Sequence, residues 1–269
     1  MLKKLIKYDL KYGAKIFIVI HALLWIAAIF GRVFFLDRID FDAPAEQLVS
    51  VLVLFFSAFV LLFSVVSLAT ALLIAARFYK NLFTDEGYLT WTLPASPVQQ
   101  LWAKILSGCI WNILDLILLY SAAYFMWISP NVQNAYRMIA AEFTASLGMP
   151  LSKFFLLMVL LSIIGVGSNV LMLYASISIG QLFPAHRLLL SVIVYFIFYM
   201  IIYALSMGAL IIFKLLPGIA LSANTVNEAA SMSTYLTGTF LISLVLSAVM
   251  AVIQYVIIHL ILTRKLNLI

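Results

Sequence analysis

Cysteine and charge are what this sequence has least of. One cysteine, Cys109, occurs in 269 residues, which excludes a disulfide within the chain and a zinc centre built from cysteines. It stands in an apolar run and reads as a small packing residue. Charged residues make up 10% of the chain, against about 25% in an ordinary soluble domain. So few charges cannot cover the surface of a soluble protein of this size. A soluble enzyme, a disordered chain and a free nucleic-acid-binding module are thereby excluded. Catalytic and nucleotide motifs are missing as well. There is no G-x-x-x-x-G-K-[ST] to cradle ATP, no H-E-x-x-H and no G-x-S-x-G. Gly165-Val166-Gly167 fails as a dinucleotide fingerprint because Val170 stands at the third glycine position; these glycines are expected to let helices pack closely. His21, His186 and His259 lie far apart in sequence and read as anchors or packing residues, not metal ligands.

What is present is apolar. Hydrophobic residues make up 66% and mean hydropathy is +1.17. Six continuous apolar segments stand near Ile16–Leu36, Leu48–Ala76, Leu101–Ile128, Phe154–Phe183, Leu188–Phe213 and Thr239–Leu262. Each can supply the roughly 20 residues a transmembrane helix needs, and continuous runs exclude an alternating β-barrel. The expected fold is an all-α membrane protein, one domain over 1–269, with an interfacial helix at 1–15 and a six-helix bundle at 16–263. The second segment would reach about 43 Å at 1.5 Å per residue, against a hydrocarbon core of about 30 Å, so it is expected to tilt or to project beyond the lipid. The charged-then-apolar N-terminus resembles a signal peptide, but its apolar run is too long for one, which points to an uncleaved first span.

Sixteen basic and ten acidic residues give +6. With six spans both termini share a side, and eleven of the sixteen basic residues fall there. The positive-inside rule then makes both termini cytoplasmic. Met1–Lys15 places Lys4, Lys7, Lys11 and Lys15 on one helical face and Leu2, Leu5, Ile6, Leu10 and Gly13 on the other, the pattern of a helix lying on the membrane lipid. Asp9 falls within the apolar face. It either reaches water or a neighbouring lysine, or bridges to another cytoplasmic element.

The stretch Arg77–Pro97 is the most informative. Phe78, Tyr79, Leu82 and Phe83 share one face of a short helix. Lys80 and Asn81 lie between them, Asp85 and Glu86 give a polar edge, and Gly87 offers a place to turn. Leu93-Pro94 interrupts any helix. Ser96-Pro97-Val98-Gln99 then restarts one with a capping box and proline at the first position. An apolar and acidic helix between two long ones could dock into a groove of a soluble partner, or form a solvated loop with interfacial anchors. Within the third span stands Asp115, where a charge costs at least about 2.5–3.5 kcal/mol. Asn112 lies one turn earlier. Together they make either a polar patch on a pathway or subunit interface, or a structural hydrogen bond within one subunit.

KYDLKYGAKIF at Lys7–Phe17 and FYKNLFTDEGYLTWTLPASPVQQLWAKIL at Phe78–Leu106 resemble the permease subunits of bacterial ABC-2-type ABC transporters, especially the short six-span Gram-positive kind. The resemblance implies a non-catalytic subunit of an ATP-driven exporter in the bacterial plasma membrane. It also implies a second permease copy or homologue, and separate ATPase chains holding ATP and Mg²⁺. Phe78–Gly87 would be the coupling helix, and His186 and Arg187 a second ATPase contact. The substrate would be a peptide, a lipid-like compound or a drug. Two other readings differ in class: an ion-coupled carrier using Asp115, and an intramembrane enzyme, for which clustered Glu, His or Arg are missing. The segment 215–238 reads as an exposed loop; in the resembled family short re-entrant helices often stand there.

Overall fold

The computed structural model describes residues 1–39, 45–216 and 232–264. Among them are α-helices α1 (Leu2–Phe34), α2 (Ala45–Phe83), α3 (Asp85–Trp91), α4 (Pro97–Trp127), α5 (Pro130–Leu147), α6 (Leu151–Gly180), α7 (Arg187–Ile212) and α8 (Met232–Arg264), with a 3-10 turn at Leu36–Arg38 and no strand. Six of them, α1, α2, α4, α6, α7 and α8, are long and apolar enough to cross a membrane. The chain is a multi-pass helical membrane protein, as expected. Of the segment 215–238, residues 217–231 lie outside the described part.

The N-terminal expectation is corrected. Residues 1–15 do not form a helix of their own; α1 is a single helix of 33 residues, about 50 Å long. Its buried residues Asp9, Gly13, Phe17, His21, Leu24, Ala28 and Gly31 recur every three or four positions, one stripe from end to end. Neither proline nor a polar turn breaks the stripe, and Gly13 is buried against the Trp111 ring. The packing surface of residues 2–13 therefore runs on into the span. The lysines at 4, 7, 11 and 15 do face outward or half outward.

Helix α2 runs 39 residues, about 58 Å, well past the expected Ala76. Its last turns carry Phe78 and Leu82 into the largest apolar core. That core joins them to Leu101 and Ile105 of α4, Val170 and Tyr174 of α6, and Ile258 and Leu262 of α8. It lies where α2, α6 and α8 finish and α1 and α4 begin, called here the termini end. A second cluster, Leu24, Ala28, Val66 and Ala122, packs α1, α2 and α4 further along. Leu36, Phe55 and Met126 close the far end.

Close helix contact comes from glycines other than those expected. A Cβ on Gly165 or Gly167 would meet nothing within 4 Å, whereas one on Gly108 would stand 2.7 Å from Tyr174 Oη and 2.9 Å from Val170 Cγ1. Gly108 is thus where α4 and α6 approach. Helix α5 was not anticipated from sequence. It buries none of its residues, so no long apolar run announced it. Its boundary signals were readable: Pro130 in the first turn, and Gly148 in the left-handed region with φ 71°, a common helix stop.

Candidate functional site

Two buried polar nodes lie between α1, α2 and α4, and the short helix α3 covers the outer one. At the outer node Asp9 is 4% exposed. Lys104 Nζ donates to both its carboxylate oxygens at 2.6 and 2.7 Å. Arg77 Nε donates to Oδ1 at 3.0 Å. Arg77 then reaches Glu86 of α3, NH1 to Oε2 at 3.2 Å, and its guanidinium lies over the Tyr12 ring. Of the two readings of Asp9, the structure selects the bridge: one carboxylate ties α1 to α2 and α4, and through Arg77 to α3. Burial explains the geometry. A carboxylate and an ammonium both removed from water require each other as partners.

The inner node is centred on Asp115, 1% exposed. Thr70 Oγ1 donates to Oδ1 at 2.9 Å and Ser67 Oγ donates to Oδ2 at 2.8 Å. His21 Nε2 lies 2.9 Å from Oδ1, and His21 Nδ1 lies 2.9 Å from the Phe17 carbonyl. That carbonyl can only accept, so Nδ1 carries a hydrogen. One further proton then lies between Nε2 and Oδ1. Either an imidazolium donates to a carboxylate, or a carboxyl donates to a neutral ring. Both forms are neutral overall, which is what a pair inside a span requires. His21 is therefore the partner of the buried acid, not a packing residue or anchor. Asn112 does not join it. Its Nδ2 donates back to the Gly108 carbonyl of its own helix, at 3.5 Å. Each of these bonds to Asp115 comes from a residue of the same chain.

A cavity of ≈ 20 Å³ separates the nodes, lined by Asp9, Arg77, Lys104, Thr70, Ser107 and Tyr174 among others. It has room for about one water. Polar groups therefore run from the surface at Glu86 to His21 in mid-helix. Beyond Asp115 the second apolar cluster closes the way to the far end.

The stretch Phe78–Gly87 is divided, which corrects the expectation of one docking helix. Phe78 through Phe83 finish α2. Phe78 is fully buried and stacks on Tyr174, with ring centres 3.9 Å apart. Leu82 is equally buried and Phe83 nearly so. They are core, and no partner can reach them. Tyr79 and Asn81 are half-buried, and Lys80 faces outward. The chain turns at Thr84, not at Gly87. Gly87 is buried in the first turn of α3, its N–H bonded to the Thr84 carbonyl. The outward face of α3 is Asp85, Glu86, Tyr88 and Leu89. Leu89 is the most open of these apolar side chains, at 73% exposed.

Helix α3 is clamped from within. Trp91 Nε1 donates to the Leu82 carbonyl at 3.3 Å, and Gln100 Nε2 donates to the Thr90 carbonyl at 2.8 Å. The restart of α4 follows the sequence: Ser96 accepts from the Gln99 N–H, the Gln99 side chain returns the bond, and Pro97 occupies the first turn. His186 and Arg187, at the start of α7, stand at the termini end with α3. His186 is exposed and Arg187 half-buried. His259 stacks on Tyr255. Gln254 is a residue the sequence did not single out: it is fully buried in α8, and neither of its amide atoms has a hydrogen-bond partner among the described residues.

Among the described residues no group of three or more His, Cys, Asp or Glu could hold a metal ion. Comparison with protein-family models, with curated proteins and with solved structures finds no match.

Proposed function

We propose that this chain is the permease subunit of an ATP-driven exporter of the ABC-2 type. It would lie in the bacterial plasma membrane with its termini end in the cytoplasm. The observation that carries the reading is the mounting of α3. An exposed short helix with acidic and apolar side chains is clamped to the ends of two long helices, and ion-paired through Arg77 and Asp9 to a third. A force applied to α3 reaches α1, α2 and α4 through these hydrogen bonds and ion pairs. The likeness of Phe78–Leu106 to the ABC-2 permeases supports the same reading. A separate ATPase would hold ATP and Mg²⁺, since this chain has no P-loop. Two permeases, identical or homologous, would enclose the pathway. The chain itself would catalyse nothing, and its cargo would be a peptide, a lipid-like compound or a drug.

The seat for the ATPase is the outward face of α3 with Lys80, and His186 and Arg187 offer a second contact. An ion-coupled carrier would need Asp115 to meet its ion, but His21, Ser67 and Thr70 already occupy both oxygens.

Purification from the native host in mild detergent tests the proposal. An ATPase chain should travel with the protein, and D85R/L89E should release it and stop ATP-dependent transport while gel-filtration elution stays normal. Purification without any ATPase, or transport driven by an ion gradient in the absence of ATP, overturns the reading.

A further inference from the structure

At the far end, between the start of α6 and α8 and the finish of α7, lies a cavity of ≈ 910 Å³. That is the size of a small-molecule site, about 300–1,000 Å³. Its lining includes Lys153, Ala209, Phe213, Thr237, Leu241 and Val245. The polar residues stand at the helix ends and the apolar ones deeper. Along α8 it extends from Ser233 to Leu246, about 20 Å at 1.5 Å per residue, more than one leaflet of a hydrocarbon core of about 30 Å. Leu241 and Val245 are 62% and 58% exposed, so the described residues leave these walls uncovered.

The rim is cationic. Lys153 stands in the first turn of α6, and Lys214 follows Phe213 at the end of α7. Both are exposed, and neither is in an ion pair among the described residues. Arg137 of α5, at the same end, is also exposed and in no ion pair among the described residues, but it does not line this cavity; two others are engaged elsewhere. Arg32 donates to the Phe125 carbonyl and approaches Asp37, and Arg38 lies over Phe34. Two ammonium groups with no ion-pair partner among the described residues, above an apolar slot of leaflet depth, call for one chemistry: an anionic head with a long hydrocarbon tail.

We propose that this groove is a binding site for an anionic phospholipid of the surrounding bilayer. Its phosphate lies at Lys153 and Lys214, and an acyl chain lies along Phe213, Leu241 and Val245. The proposal does not depend on the transport reading. A lysine near anionic lipid contributes about 1 kcal/mol, which is about fivefold in binding.

The protein would be reconstituted in vesicles of phosphatidylcholine doped with a photoreactive phosphatidylglycerol or, separately, a photoreactive phosphatidylcholine with the same acyl diazirine. Labelled peptides are then mapped. Phosphatidylglycerol should label the 233–246 stretch several-fold more than phosphatidylcholine does, relative to the rest of the chain. K153E should lower that preference about fivefold. A209F, which narrows the groove and keeps both lysines, should reduce labelling there. Gel filtration checks that each variant is folded, and K153Q replaces K153E if the latter is not. Equal labelling by the two lipids, or a preference untouched by K153Q and K153E, overturns the proposal. So does an unlabelled stretch, as expected if a second copy fills the groove.

Discussion

At Asp9 the energetic question is one of charge. Asp9 and Lys104 are both 4% exposed, so the buried ammonium is tolerable because of the carboxylate, which in turn is held by Lys104 and Arg77. Removing one partner of a buried pair typically costs about 3–5 kcal/mol, whereas replacing both by apolar side chains is often neutral. D9A should therefore destabilise strongly, while D9L/K104M should recover part of the loss, Arg77 still lacking its carboxylate. Thermal unfolding in detergent across the four-membered cycle gives the coupling; a double-variant loss equal to the sum of the two single losses would mean that the two charges act independently. Asp115 solves the same problem differently. It shares one proton with His21 and takes two hydroxyl donors, each interhelical bond contributing about 0.6 kcal/mol in a membrane. Asp9 and Asp115 were both visible in the sequence as acids in apolar surroundings. Their partners were not, because Lys104 stands 95 residues from Asp9 and His21 stands 94 from Asp115.

Between elements, the tightest constraint is the crossing of α4 and α6 at Gly108. Tyr174 cannot yield to a new side chain there. Its ring is stacked on Phe78, and its hydroxyl donates to the Lys104 carbonyl at 3.0 Å. G108L should destabilise by about 1–3 kcal/mol, the usual effect of overpacking. G165A and G167A should be neutral or stabilising by up to about 1 kcal/mol, since alanine is the better helix former and their space is open. Melting temperatures of the three variants decide it; a G165A or G167A as damaging as G108L would contradict the packing described. A glycine in an apolar run does not disclose from sequence whether a neighbour fills its side, which is why the three could be ranked only from contacts. Local signals fared better. Ser96, Pro97 and Gln99 set the start of α4 by bonds spanning three residues, and those were legible in the chain.

For the whole molecule, six spans place Met1 and the α6–α7 loop at one end and α5 at the other. With Cys109 replaced by alanine, cysteines at positions 3 and 186 should react with a membrane-impermeant maleimide from the same side, and one at 137 from the opposite side. If the chain is oriented as proposed, 3 and 186 label only in inside-out vesicles. Labelling of 3 and 186 from opposite sides would refute the six-span arrangement itself. The same topology gathers α3, the Asp9 node and His186 at one end and leaves the lysine-rimmed groove at the other.

The sequence by itself determined that this is a helical membrane protein, how many spans it has and where α4 begins. Hydrophobicity and capping act locally, so a window of residues is enough to read them. It also marked Asp9 and Asp115 as acids in need of partners. Tertiary structure decided the rest: that residues 1–15 continue the first span, that Phe78 and Leu82 are core while Leu89 faces outward, and that Lys104 and His21 are the partners the acids required. Each of these depends on which helix lies beside which, and a run of apolar residues looks the same whether lipid or another helix covers it.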